Sequence, residues 1–274
     1  MTGSPPFDYS RAIFGTDVSH HQIPFGSAGA RALHNAGIRF AWCKATEGGD
    51  FNDKRVEQHI ADLTGADIAC GVYHFARPDL RTDPTPEVEH FARRLEQLGP
   101  NAARLRPCID IETPSSSKPA LPHGVDFLGS FINKLTQATG VVPVVYVGYY
   151  WWLRHLKGVD WRSTFGDVPL WMPRYPDDAD GVEVVGIATD ALQSKRAKAL
   201  PYPKGARLNV WQYSGQGRVP GYSKRLDLNV TDPESFAPCV WPGATVAAAE
   251  PSSSAVPLIV GAAAAATLAA TLGG

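Results

Sequence analysis

The chain has 274 residues, 44% of them hydrophobic, and a formal net charge of −1 at pH 7. That length allows one large α/β domain or two small ones. The near-neutral balance excludes an ordinary nucleic-acid binder, which carries a basic face.

In chain order, Ile13–Val18 reads as an apolar strand ending at Asp17, followed by a loop holding Ser19, His20, His21 and Gln22. Ala28–Ala36 has helical apolar spacing, with Gly37 as its stop. Phe40–Ala45 is a second strand and runs into Thr46-Glu47-Gly48-Gly49, and Asp53–Thr64 is an amphipathic helix. Ile68–Phe75 is a third strand, Pro86–Leu98 a helix stopped by Gly99-Pro100, and Pro107–Glu112 a fourth strand. Asp126–Thr139 is the next helix, Val144–Gly148 a fifth strand, and Tyr149–Leu156 an aromatic-rich helix. Leu170–Tyr175, Val210–Ser214 and Leu226–Asn229 read as three more strands joined only by loops. Regular alternation predicts a parallel sheet with right-handed crossovers. Eight strands then suggest a TIM-like (β/α)5(β)3 barrel with an incomplete helical jacket.

Cys43, Cys70, Cys108 and Cys239 include no CxxC pair and no His/Cys spacing for zinc, so free, buried thiols are expected and no metal or cofactor. Met1–Ser10 lacks the basic start and apolar run of a secretory signal. Ala255–Leu272 is uncharged and Ala-rich, long enough to span a bilayer but interrupted by Pro257 and Gly261. A membrane-associated helix and a low-complexity tail are both open readings of it. The expected organisation is a catalytic barrel over 11–240, a linker over 241–254 and a hydrophobic tail over 255–274. The basic segment Val182–Arg207 reads as a solvated insertion.

The stretch with the clearest chemistry is Cys108-Ile109-Asp110-Ile111-Glu112. Positions i and i+2 of a strand share one face, so Asp110 and Glu112 look into one space. Two carboxyls held that close cannot both ionise easily, which suits glycoside hydrolysis, where one gives a proton and one stays negative. Parallel barrels carry their chemistry at the C-terminal ends of the strands. The end residues here are Asp17, Lys44 with Glu47, Tyr73 with His74, Asp110 with Glu112, Tyr146, Trp171 with Tyr175, Trp211 with Gln212, and Asp227 with Asn229. Their convergence on one rim argues for a shared site.

These stretches resemble the family 25 glycoside hydrolases, the Chalaropsis-type lysozymes. The resemblance is carried by GTDVSHHQ from Gly15, KATEGG from Lys44, GVYHFARP from Gly71 and CIDIE from Cys108. It continues through VPVVYVG, LWMPRY, WQYSGQGRVPG and LDLN, in the family's order, over most of residues 13–236. It implies an N-acetylmuramidase that cuts the β-1,4 bond from N-acetylmuramic acid to N-acetylglucosamine in bacterial peptidoglycan. Carried over by motif, Glu112 is the general acid and Asp110 stabilises the substrate's acetamido group or the intermediate. Asp17 and Asp227 match the two further acids. Tyr73, Tyr146, Trp171, Tyr175, Gln212, Lys44 and His74 are the expected substrate-binding residues. The attacking group, acetamido oxygen or carboxylate, stays open. His21 departs from the family, which usually has an aromatic after the first His.

Two rival readings stand beside this one. A metal-dependent amidohydrolase would use Asp17, His20, His74 and Asp110, but H-x-H and H-E-x-x-H are absent, and adjacent side chains such as His20 and His21 diverge on extended backbone. A non-catalytic barrel binding wall sugars is the other. A wall hydrolase with no visible export signal resembles a phage endolysin, made in the cytoplasm as a monomer and released through a holin or tethered by its tail.

Overall fold

The computed structural model describes residues 7–113, 121–175 and 202–246. Its strands are β1 (Ile13–Val18), β2 (Ile38–Glu47), a two-residue β3 (Phe51–Asn52), β4 (Ala69–Phe75), β5 (Cys108–Ile111), β6 (Val144–Val147), β7 (Leu170–Pro173), β8 (Leu208–Val219) and β9 (Tyr222–Thr231). Eight of them close into a barrel in the order β1-β9-β8-β7-β6-β5-β4-β2, sealed by pairing of β1 with β2, while β3 hangs on β2. The TIM-like reading with an incomplete helical jacket therefore holds.

The helices α1 (Gly26–Asn35), α2 (Val56–Thr64), α3 (Thr85–Leu98) and α4 (Gly124–Thr139) form the outer layer on one side. In α3, Val88, Phe91 and Leu95 fall on one buried face, and Gly99 at φ +72° ends it. α4 buries Phe127, Leu128, Phe131, Ile132 and Leu135 the same way. The second helix starts at Val56 rather than Asp53, because the Asp53 carboxylate is taken by the backbone N–H groups of His20 and Arg55. After β6 the chain makes one α-turn at Tyr149–Trp151, a π-helical stretch at Trp152–Leu156 and a short helix at Trp161–Phe165.

Strand alternation separates two apolar layers. Ala41, Cys43, Val72, Ile109, Ile111 and Val145 point out toward the helices. Ile13, Phe40, Trp42, Cys108, Val144 and Val210 point in and fill the barrel floor. Gly15 and Gly71 make room there: a Cβ on Gly15 would lie 2.2 Å from the Phe40 ring, and one on Gly71 would lie 2.8 Å from Trp42 Nε1. All four cysteines are free and buried.

One expectation is corrected. The sheet is not wholly parallel: β9 runs antiparallel to both β8 and β1. The predicted strands Val210–Ser214 and Leu226–Asn229 are parts of one long hairpin, whose partners Val219 and Tyr222 are joined by Pro220-Gly221. A two-residue turn, with Gly221 at φ +80°, is far too short for a parallel crossover. Of the basic insertion, residues 202–207 are described: Lys204 lies 3.6 Å from Asp160, and Arg207 donates to Ser235 Oγ. Residues 182–201, part of the linker and the tail at 255–274 lie outside the described residues. Among those described, no helix is long and apolar enough to cross a membrane.

Candidate active site

Read along the inner face, four of the parallel strands start apolar and end polar. β2 gives Phe40, Trp42, then Lys44; β5 gives Cys108, then Asp110, with Glu112 just beyond; β6 gives Val144, then Tyr146; β8 gives Val210, then Gln212. The polar ends meet in a cleft of about 310 Å³ that contains Asp17, Lys44, Tyr73, Asp110, Glu112, Tyr146, Trp171, Tyr175, Gln212 and Asp227. Ten of the eleven residues expected at the site are thus together. Ser19, His21 and Phe75 also line the cleft and were not anticipated as site residues.

His74 is the exception. Alternation turns it away from Tyr73, through the barrel wall, where it is fully buried. Its Nε2 lies 2.8 Å from Glu87 and its Nδ1 2.8 Å from Thr46 Oγ1, with Phe91 and Phe131 packed on the ring. Burial lowers its pKa, against the pull of Glu87. This also removes the metal-dependent reading, because His74 cannot meet Asp110, and His20 is held at 2.9 Å by Asp53. Among the described residues no cluster of metal-ligating side chains forms. His20 and His21 do not diverge, since the backbone turns there and brings their ring centroids to 4.1 Å. His21 therefore still presents a ring to the cleft.

Asp17 and Asp227 are direct cross-strand partners on β1 and β9, a like-charge pairing that only a shared proton or donors can relieve. Asp17 Oδ2 accepts from Gln212 Nε2 at 2.9 Å and Asn229 Nδ2 at 2.8 Å. Those amides are themselves fixed: Tyr146 and Tyr175 donate to Gln212 Oε1, and Trp171 Nε1 donates to Asn229 Oδ1. Burial pushes Asp17 up to about 6, with the two amide bonds holding it back. Asp227 has no side-chain amide donor among the described residues, so burial and the charges of Asp17 and Glu112 raise it to about 9, against its own backbone N–H. Near neutral pH the pair carries one proton, on Asp227.

Asp110 is 8% exposed, and its Oδ1 has no hydrogen-bond partner among the described residues. Burial and the neighbouring Glu112 raise its pKa well above the usual carboxylate range, with Lys44 opposing. Glu112 is open to the cleft, yet the crowded walls desolvate its carboxyl and Asp17 adds repulsion, so its pKa is also raised. Two features that sequence reading missed fix its place. Trp151 Nε1 donates to Thr113 O, and a Cβ on Gly148 would lie 2.5 Å from Glu112 Cβ. Lys44 Nζ bonds Glu47 at 2.7 Å and lies 4.6 Å from the centroid of the Phe75 ring, and Glu47 is gripped from outside by Arg77 at 2.8 Å. Burial opposes it, but Lys44 and Arg77 hold Glu47 below its ordinary pKa.

Residues 16–222 match the family model described as Glycosyl hydrolases family 25. The chain is 28% identical over 230 residues to "Lysozyme M1" of Streptomyces globisporus, covering 82% of this chain and 69% of that protein. It is 24% identical over 237 residues to "Autolytic lysozyme" of Clostridium acetobutylicum, covering 85% of this chain and 58% of that protein. Among solved structures it is similar to a bacterial lysozyme from Streptomyces coelicolor, with TM-score 0.55, 26% identity, and 79% and 90% of the two chains covered.

Proposed function

The chain belongs to glycosyl hydrolases family 25, and from that membership we propose that it is a lysozyme cutting the β-1,4 bond between N-acetylmuramic acid and N-acetylglucosamine in peptidoglycan. The observation that carries the reading is the convergence of four carboxyls, Asp17, Asp110, Glu112 and Asp227, in one aromatic-walled cleft. A barrel that only bound sugars would gain little from four crowded acids whose pKa values are all raised.

The roles follow from the environments. Glu112 is the general acid: burial and the Asp17 charge raise its pKa, which favours the protonated form, and it faces the open cleft, where a glycosidic oxygen can reach it. Asp17, held anionic by two amides, supplies the negative charge that stabilises the positive sugar carbon as the bond breaks. Asp110, with a buried unpartnered oxygen, takes the N–H of the sugar's acetamido group and turns the acetamido oxygen toward the reacting carbon. The protonated Asp227 stands opposite Asp17 as a donor. Tyr73, Trp171 and Phe75 line the cleft beside these acids, where their rings meet the faces of the sugars.

The test is digestion of purified peptidoglycan, borohydride reduction of the fragments and mass spectrometry of the reduced ends, with Glu112→Gln alongside. Muramitol ends that vanish in the variant are expected. Glucosaminitol ends would assign the wrong bond, and the absence of new ends with binding intact would return the protein to the binding-only reading.

A further inference from the structure

The β8–β9 hairpin runs on past the cleft and carries a cationic pair. Arg218 and Arg225 are direct partners across the ladder, so their side chains share one face. Arg225 also lies two residues before Asp227 on β9, and the bulge between Ser214 and Gly217 puts its extra residue on β8, so β9 is regular from Arg225 to Asp227. Positions i and i+2 of an extended strand project to the same side, about 6.6 Å apart. The arginine pair thus stands one pleat beyond Asp227, on the face that looks into the cleft.

Together with Lys224 and Tyr222, the pair lines a hollow of about 560 Å³ to which no acidic side chain contributes. Arg225 Nη1 donates to Gln216 O at 3.0 Å, which anchors one guanidinium and leaves other donors free. Arg218 and Lys224 are exposed, and among the described residues no carboxylate forms an ion pair with any of the three. Like charges set directly opposite each other on a ladder repel, and an anion between them relieves that. Two planar guanidinium forks match the paired oxygens of a carboxylate or a phosphate.

We propose that Arg218 and Arg225 bind a carboxylate of the peptide stem that hangs from the sugar strand, giving the enzyme a preference for stem-bearing over naked glycan. The proposal rests on the lysozyme reading above. A glycan lying in the cleft carries its stems on the sugars themselves. A stem carboxylate is therefore delivered next to Asp227 by the same binding event, whereas a separate wall polymer is not.

The experiment uses the full chain on two substrates: peptidoglycan, and the same glycan stripped of stems by an amidase, both freed of wall phosphate polymers. In R218Q/R225Q the KM for stem-bearing material should rise about tenfold, toward the wild-type value for stripped strands. Hydrolysis of stripped strands should match wild type, and R218K/R225K should recover part of the loss. An equal change on both substrates, or none on either, overturns the proposal. So does a loss seen only when phosphate polymers are left on the wall, which would assign the pair to phosphate. If wild type releases no reducing ends from either substrate, the lysozyme reading itself falls. If it cuts both equally well and the variant matches it, only the stem contact falls.

Discussion

Tyr73 and His74 are neighbours in the chain and stand on opposite sides of the barrel wall. In front, four carboxyls crowd into the cleft, Asp110 keeps an unpartnered oxygen, and every one of the acids is pushed up in pKa. Behind, His74, Glu87 and Thr46 form a buried polar set whose members are bonded to one another, with Glu87 also accepting from the backbone of Arg77 and lying 3.3 Å from Arg81. Both groups are buried or desolvated clusters of titratable side chains. The difference is that the rear acid, whose Oε1 also lacks a hydrogen bond among the described residues, has Arg81 beside it and His74 bonded to it, while the front cluster of four acids stays open to the cleft.

That contrast can be broken by exchanging the effects of mutation on the two sides. The largest effect belongs to Glu112→Gln, which should lower kcat about 10³-fold while leaving the thermal unfolding midpoint essentially in place. Glu87→Gln should do the reverse: about 3 kcal/mol of stability lost in denaturant titration, with kcat per folded molecule unchanged. A fall in kcat there would mean that the rear cluster feeds the cleft. Smaller is Gly148→Ala, whose methyl must displace Glu112, and a drop in kcat of about tenfold with little change in KM is expected. Asp17→Asn should lower kcat by removing the charge that faces the sugar, and its smaller, separate effect is on the shape of the pH profile. The Asp17 anion disfavours ionisation of Glu112 and so raises its pKa. Removing that charge lowers the Glu112 pKa, so the descending limb of kcat against pH should move to lower pH. A limb that stays put would mean that burial alone sets the proton on Glu112.

Much of the front side was legible in the sequence because it obeys a period of two. Cys108, Asp110 and Glu112, or Phe40, Trp42 and Lys44, place floor and rim on one face without any knowledge of the neighbouring strands. His74 was misplaced by grouping strand-end residues together, although the same alternation, applied strictly after Tyr73, sends it outward. The reversal of β9 also had a signal, since Pro220-Gly221 sits between two ladder-forming runs and is too short for a crossover. Gly148 and Trp151 had none. Their importance lies in how close β6 comes to the end of β5, a contact between segments far apart in the chain that no local pattern encodes. The ring contact of His20 with His21 likewise depends on a turn pinned by Asp53, thirty-three positions away from His20.

The pairing of β9 with β1 also orders events in time. The bond from Asn229 to Asp17 spans 212 positions, and the partner of Asp17 across the ladder is Asp227 itself. A chain emerging from a ribosome therefore holds Asp17, Asp110 and Glu112 long before the strand that completes the ring exists. Until residue 231 is free, β1 keeps one edge unpaired and Asp17 lacks the amide group of Asn229. A nascent chain short of residue 231 therefore lacks the strand that completes the surroundings of Asp17, so the site is assembled only after both ends of the barrel have met.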